Sequence, residues 1–317
     1  MKDAMAHWLK FGVFGIQVSG VESFTDSTLL SDWKNVTSQY SGDDDARVLI
    51  AATSEITPQR IFSLLNMTEG ADLLTSQYLL GLDVDSPERK SGDEIARMIK
   101  NYISAAGNRS LSWSVGGPQV GHMASLVGER LLRLYHVLLF TLPGTPFVDY
   151  GDEIGLEDLP KLPGQPASFN MTRMQWNNQH NFGFSESSQN ADSASNVTVQ
   201  SQDGDKTSVL ALFRALSDLR GKERSLLHGE FVSLGSDQPD VCAYLRRWDQ
   251  NERFLVLLNF GDTESAVSLT PPKAADLLTE AAVVLSTDPQ RGEGQLSLRQ
   301  LKLGASEGLL LRFPYVA

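Results

Sequence analysis

Apolar residues at positions 1, 4, 5, 8 and 11 recur at helical spacing, so the chain opens in an amphipathic helix. Strand-like apolar runs follow at 13–18, 47–53, 72–76, 110–115 and 146–150, alternating with helical patterns near 29–39, 58–65, 93–105 and 124–139. Such alternation with short connections predicts parallel strands joined by right-handed crossovers. Five strands fit either a doubly wound sheet or part of a (β/α)8 barrel, and a helix with no strand before it implies that the chain begins partway through a larger fold. A polar stretch rich in Pro, Ser, Asn and Asp occupies 157–205, a length that marks a functional or disordered connection. Val209, Leu210, Leu212, Phe213, Leu216 and Leu219 then form one face of a helix over 206–224. Beyond it the pattern changes to short strands only, at 228–234, 241–248, 253–260, 266–269, 282–286 and 309–313. Turn signals such as Gly235-Ser236-Asp237 and Gly261-Asp262 separate them, which predicts a small antiparallel β-sandwich. The expected organisation is an α/β part over 1–225 and a β domain over 226–317.

Composition narrows the function classes. The 317 residues carry a formal charge of -12, which argues against a nucleic-acid partner, since phosphate binding needs a basic surface. The longest apolar run, 131–142, is too short to span a bilayer and contains Arg133 and His136, so it reads as a buried helix. Charges scattered through the first 11 residues do not form a signal peptide. Cys242 is the single cysteine, which rules out a disulfide or a thiolate metal site within the chain. His7, His122, His136, His180 and His228 show no ligand spacing, and neither a bound metal nor a cofactor is expected. Five asparagines, Asn35, Asn66, Asn108, Asn170 and Asn196, head Asn-x-Ser/Thr sequons. Chance would give roughly two, so the excess points to an extracellular or lumenal compartment.

Three segments carry a family resemblance. "LPGTPFVDYGDEIGL" at 142–156 resembles the last barrel strand of the alpha-amylase family of glycoside hydrolases. "MQWNNQHNFGFS" at 174–185 is similar to the loop after it, and "FRALSDLRGKERSLLHGEF" at 213–231 to the last barrel helix. The resemblance covers essentially the whole chain. It implies a (β/α)8 barrel of which this chain supplies about strands four to eight, followed by that family's small β-sandwich.

In such barrels the chemistry sits at the C-terminal strand ends, and a retaining glycosidase needs two carboxylates about 5 Å apart. The family's nucleophile lies in a Gly-x-Asp-Gly-Phe-Arg-x-Asp pattern. Laid on "GVFGIQVS" at 12–19, that pattern puts Ser19 at the nucleophile and Gln17 at the arginine that orients it. The acid position falls in "VLIAATSEI" at Thr53, and the third acidic position in "GGPQ" at Gln119. Glu22 and Glu55 lie three and two residues beyond the lost positions, out of place for roles that depend on a reach of about 3 Å, and read as solvated loop carboxylates. Ser19 has no histidine placed as its base. Asp152 and Glu153 belong to the structural strand-end motif and receive no catalytic role.

A barrel without its carboxylates and with added sequons resembles the heavy chains of heteromeric amino-acid transporters. "LLRLYHVLLFTLPGTP", "KERSLLHGEF", "WDQNERFLVLLNFGD" and "EGLLLRFPYVA" carry that likeness. It implies a single-pass type II plasma-membrane glycoprotein, a non-enzyme, whose ectodomain associates with a light-chain exchanger and escorts it to the cell surface. An integrin beta subunit is a further partner it allows. The linking cysteine and the membrane span would lie upstream, so the sequence reads as a piece of a longer protein, and Cys242 as a half-buried thiol on a β-domain strand. The competing readings are an alpha-glucosidase-like hydrolase and a sugar-binding module. In the latter, Trp113 and Trp176 would stack on sugars, although core burial is the commoner fate of such residues.

Overall fold

The computed structural model describes residues 1–26, 28–81, 90–160, 171–183, 196–270 and 279–315. The chain divides into two compact units, one of residues 1–87 with 99–115 and one of 88–98 with 116–317.

The first unit opens with α1 (Lys2–Lys10), which buries Met5 and Leu9. Then come β1 (Gly15–Ser19), α2 (Thr28–Ser38), β2 (Val48–Ala52), α3 (Pro58–Met67) and β3 (Leu73–Thr75). After these come α4 (Gly92–Ala106), whose residues 99–106 belong to this unit, and β4 (Ser112–Trp113). The sheet is parallel in the order β1-β2-β3, with Gly15 beside Val48, Ser19 beside Ala52 and Ala52 beside Thr75. Gly15 is glycine for a steric reason: a Cβ there would run into the side chain and carbonyl of Val48. Asp72 ties this sheet to α2, accepting from Leu49 N at 2.7 Å and pairing with Lys34 Nζ at 2.6 Å. The tryptophan proposed as a sugar platform at 113 is instead core. Trp113 is 1% exposed and meets Tyr102 edge-on, which in turn stacks on Tyr78.

The second unit contains α5 (Met123–Val127), α6 (Glu129–Thr141), β5 (Thr145–Pro146), α7 (Val199–Gln202), α8 (Val209–Lys222) and α9 (Arg224–Leu227). The apolar pattern over 124–139 predicts one helix; the structure breaks it at Gly128, whose φ of 77 no helix can contain. The strand expected over 146–150 is likewise cut short, because Gly151 turns left-handed at φ 86 and leads into a 3-10 turn, Asp152–Ile154. Within the polar stretch 157–205, α7 is nucleated by a reciprocal cap in which Thr198 and Ser201 each bond the other's backbone N–H.

The remainder is antiparallel: β6 (Glu230–Ser236), β7 (Val241–Arg247), β8 (Arg253–Asn259), β9 (Ser265–Val267), β10 (Leu269–Thr270), β11 (Glu280–Ser286), β12 (Gln295–Ser297), β13 (Leu301–Leu303) and β14 (Gly308–Phe313). Seven strands form a sheet in the order β10-β6-β7-β8-β14-β11-β12, and β13 pairs with β9. Period-two alternation splits β7 between two interiors. Val241, Ala243 and Leu245 enter a core with Leu255, Leu257, Leu301, Leu303 and Leu309. Cys242, Tyr244 and Arg246 point the other way, where the Tyr244 hydroxyl meets that of Thr141 at the end of α6, 2.6 Å away. Both faces of this central strand are covered, so Cys242 is fully buried rather than half-buried, and burial pushes its thiol up to about 12.

Two arginines are buried on that second face with no carboxylate paired to them among the described residues. Arg220 donates to the carbonyls of Phe140, Leu142 and Gly144, and Arg246 to those of Thr141, Leu226 and Gly229. Those of Phe140, Thr141 and Leu226 belong to the last turns of α6 and α9, where a helix end leaves carbonyls without partners and their partial negative charge suits a cation. Burial lowers the guanidinium of Arg220 to about 10 and that of Arg246 to about 9, so both stay charged at neutral pH.

Candidate functional site

The residues singled out by the family pattern fall at strand ends and turns. Ser19 closes β1 and is exposed, as is Gln17. Thr53 follows β2 and is buried, its N–H donating to Thr75 O at 3.0 Å. The register sets Ser19 beside Ala52, so Ser19 and Thr53 end neighbouring parallel strands, which run about 4.8 Å apart. Neither brings a carboxyl group. Gln119, in the second unit, is exposed in the tight turn between Gly117 and Gly121.

The two neighbouring acids are engaged in ways the sequence did not indicate. Glu22 sits in the turn Val21–Ser23 after left-handed Gly20, where Ser54 Oγ donates to its Oε1 at 3.1 Å. Partial burial pushes its carboxyl up, but hydrogen bonds from Thr53 and Ser54 outweigh that and hold it below the usual carboxylate range. Glu55 pairs with Arg60 at 2.6 Å, and its N–H donates to Thr53 Oγ1 at 3.1 Å.

A strongly displaced carboxyl of the second unit is Asp152. Its carboxylate is buried, with Oδ1 accepting from Met123 N at 2.7 Å and Oδ2 from Asp149 N at 3.3 Å. Desolvation raises its pKa to about 7, above what those two bonds recover. His122, fully buried, places Nδ1 at 3.9 Å from Oδ1, and His136 Nε2 lies 3.0 Å from the Asp152 backbone oxygen. The motif at 151–155 was legible as structural; that its aspartate faces two histidines was not, because neither precedes it at any regular spacing.

His136 gives a pH dependence of definite sign. Burial lowers it to about 4, so the folded protein holds it neutral while the unfolded chain titrates near the ordinary 6.5. Its contribution is present above the unfolded value and is lost as pH falls from 6.5 toward 4. Denaturant unfolding should show this as a loss of about 3 kcal/mol by the lower end. Replacing His136 by Gln should flatten that limb; an unchanged acid limb would contradict the assignment.

Of the sequon asparagines, Asn35, Asn66, Asn108 and Asn196 are all exposed, on α2, on α3, after α4 and before α7; Asn170 lies outside the described residues. Trp176 is exposed, unlike Trp113, in a loop where Asn181 and Phe182 adopt left-handed backbone angles. Among the described residues no helix is long and apolar enough to cross a membrane.

Comparison with known proteins places this geometry. The family described as alpha amylase, catalytic domain, matches residues 93–229. Amino acid transporter heavy chain SLC3A2 of Oryctolagus cuniculus is 45% identical over 322 residues, covering 100% of this chain and 56% of that protein. Amino acid transporter heavy chain SLC3A1 of Rattus norvegicus is 30% identical, over 89% of this chain and 42% of its own length. Among solved structures, a variant of Bacillus licheniformis trehalose-6-phosphate hydrolase superposes with a TM-score of 0.80 at 16% identity, covering 99% of this chain and 68% of that one. That likeness fixes the fold: the C-terminal part of a (β/α)8 barrel followed by an antiparallel sheet domain. The chain spans about half the length of the curated relatives it matches, 56% for the rabbit protein. The heavy-chain segments quoted above resemble those of the 4F2 cell-surface antigen heavy chain, SLC3A2, whose likeness runs the length of this chain. The chain is similar to the amino acid transporter heavy chains SLC3A2 and SLC3A1, on the alpha-amylase catalytic-domain fold.

Proposed function

We propose that this chain is part of the ectodomain of a transporter heavy chain, one that associates with a light-chain amino-acid exchanger, escorts it to the plasma membrane and hydrolyses nothing itself. The observation that supports the reading is likeness to SLC3A2 along the whole chain, joined to the family pattern that assigns Ser19, Thr53 and Gln119 to the positions where the barrel's enzymes need acids. In this reading the barrel part extends to about residue 225 and the β domain runs from 226, a division that the start of β6 at Glu230 supports. Glycans occupy the sequon asparagines on the extracellular side, which the exposure of Asn35, Asn66, Asn108 and Asn196 supports. A single membrane span, type II, would precede the barrel in the longer protein. The role is tested by co-expressing that protein with a light-chain exchanger and measuring surface biotinylation and amino-acid uptake. Both should rise several-fold over the light chain alone; unchanged surface delivery would refute the escort role.

A further inference from the structure

We propose, on the basis of the extracellular placement argued for this chain, that its sequons divide by time: Asn35, Asn66 and Asn196 accept a glycan only before their segments fold, whereas Asn108 remains an acceptor in the folded protein and is screened by a glycan already on Asn66. The transfer joins asparagine Nδ2 to C1 of the first sugar of a polyprenyl-diphosphate-linked oligosaccharide. The C1–O bond breaks with its electrons going to the diphosphate, and the amide gives up one proton to solvent. Because a sequon is defined by a Ser or Thr two residues on, the transferase must reach that hydroxyl and the asparagine amide together. A helix forbids this, since positions i and i+2 lie about 200° apart around its axis and face opposite sides.

Three of the sequons are closed by helical geometry or by burial of the hydroxyl. Asn35 is exposed on α2, while Thr37 is 0% exposed and its hydroxyl donates to the Lys34 carbonyl at 2.9 Å. Asn66 is exposed on α3, while Thr68 is buried at the helix end and its hydroxyl donates to Leu64 O at 2.8 Å. Asn196 is exposed, while buried Thr198 is the N-cap of α7 and its hydroxyl accepts from Ser201 N at 3.0 Å. Each hydroxyl is engaged within the fold, and reaching it means opening a helix or a helix end.

Asn108 differs in each respect. It lies in the turn after α4, where Gly107 takes a φ of 60 and the Arg109 N–H donates to Ala106 O at 3.1 Å. Asn108 and Ser110 are both exposed. Among the described residues the Ser110 hydroxyl makes no hydrogen bond, and its backbone forms an isolated bridge with Leu73. The neighbouring site is close: Arg109 Nη2 donates to Asn66 Oδ1 at 3.4 Å, so the middle residue of one sequon touches the asparagine of the other. A glycan on Asn66 is bulky and stands beside this turn, in the way of a transferase that arrives later.

The order is read with unglycosylated chain made in bacteria, a purified oligosaccharyltransferase and a polyprenyl-diphosphate-linked oligosaccharide, with peptides spanning each sequon as controls. All the peptides should accept the sugar. The folded chain should take it at Asn108 at least about tenfold faster than at Asn35, Asn66 or Asn196, since those sites require local opening. Ser110→Ala should abolish that transfer and leave the unfolding midpoint in place. Transfer to Asn35 or Asn66 of the folded chain at the Asn108 rate would overturn the division, as would none at Asn108 while its peptide reacts. Should the bacterial chain not fold, site occupancies in secretory cells decide. There Asn66→Gln should raise the glycosylated fraction at Asn108 by about twofold or more, and an unchanged fraction refutes the order. An absence of glycans from every site in those cells would count against the extracellular placement, on which the purified transfer assay does not depend.

Discussion

Replacing Arg246 by Met should destabilise the protein by about 3–5 kcal/mol, while the same change at Arg247 should cost less than about 1 kcal/mol. The two side chains are adjacent on β7 and point to opposite faces. Arg246 is 0% exposed and donates to three carbonyls, of Thr141, Leu226 and Gly229. Methionine fills a similar volume but leaves those acceptors buried and unpaired, at about 1–3 kcal/mol each when no water reaches them. It also removes the positive charge seated at the C-terminal end of α6. Arg247 pairs with exposed Glu230 at the surface, where salt and water weaken the interaction. Denaturant midpoints of the two variants at pH 7 make the comparison. Similar costs at both positions would mean that the helix-end carbonyls find other donors and that the buried guanidinium is not what joins β7 to α6.

That contrast shows where the sequence was informative and where it was silent. The strand over 241–248 is legible because Val241-Cys242-Ala243-Tyr244-Leu245 is apolar on both faces, but for the same reason the pattern cannot say which arginine of Arg246-Arg247 turns inward. The parallel order of β1, β2 and β3 follows from strand–helix alternation, and the register then places Ser19 and Thr53 at neighbouring strand ends. What is missed is short or long-range. β12 and β13 have three residues each, too few for a period to appear. The break at Gly128 is invisible in an apolar pattern that continues across it. Glu22 meets Ser54 from 32 positions away and His122 meets Asp152 from 30, distances at which only the fold brings side chains together.

The purified protein should hydrolyse alpha-glucosides no faster than buffer does, a shortfall of at least about 10⁶-fold against an active enzyme of this fold. The two-carboxylate mechanism needs one group ionised as nucleophile and the other protonated as acid, about 5 Å apart. Serine and threonine at the strand ends supply neither. Glu22 is a nearby carboxyl that could be considered for the acid, and its environment pushes it the wrong way: donors from Thr53 and Ser54 lower its pKa, whereas a general acid at neutral pH needs a raised one. Glu55 is committed to an ion pair with Arg60. A single restoration, Ser19→Asp, should therefore remain inactive, because the acid would still be absent. Turnover of p-nitrophenyl alpha-glucoside by the wild-type protein that disappears in Glu22→Gln would show that the displaced carboxylate had taken over the lost position, and the reading of the barrel as a scaffold would fail.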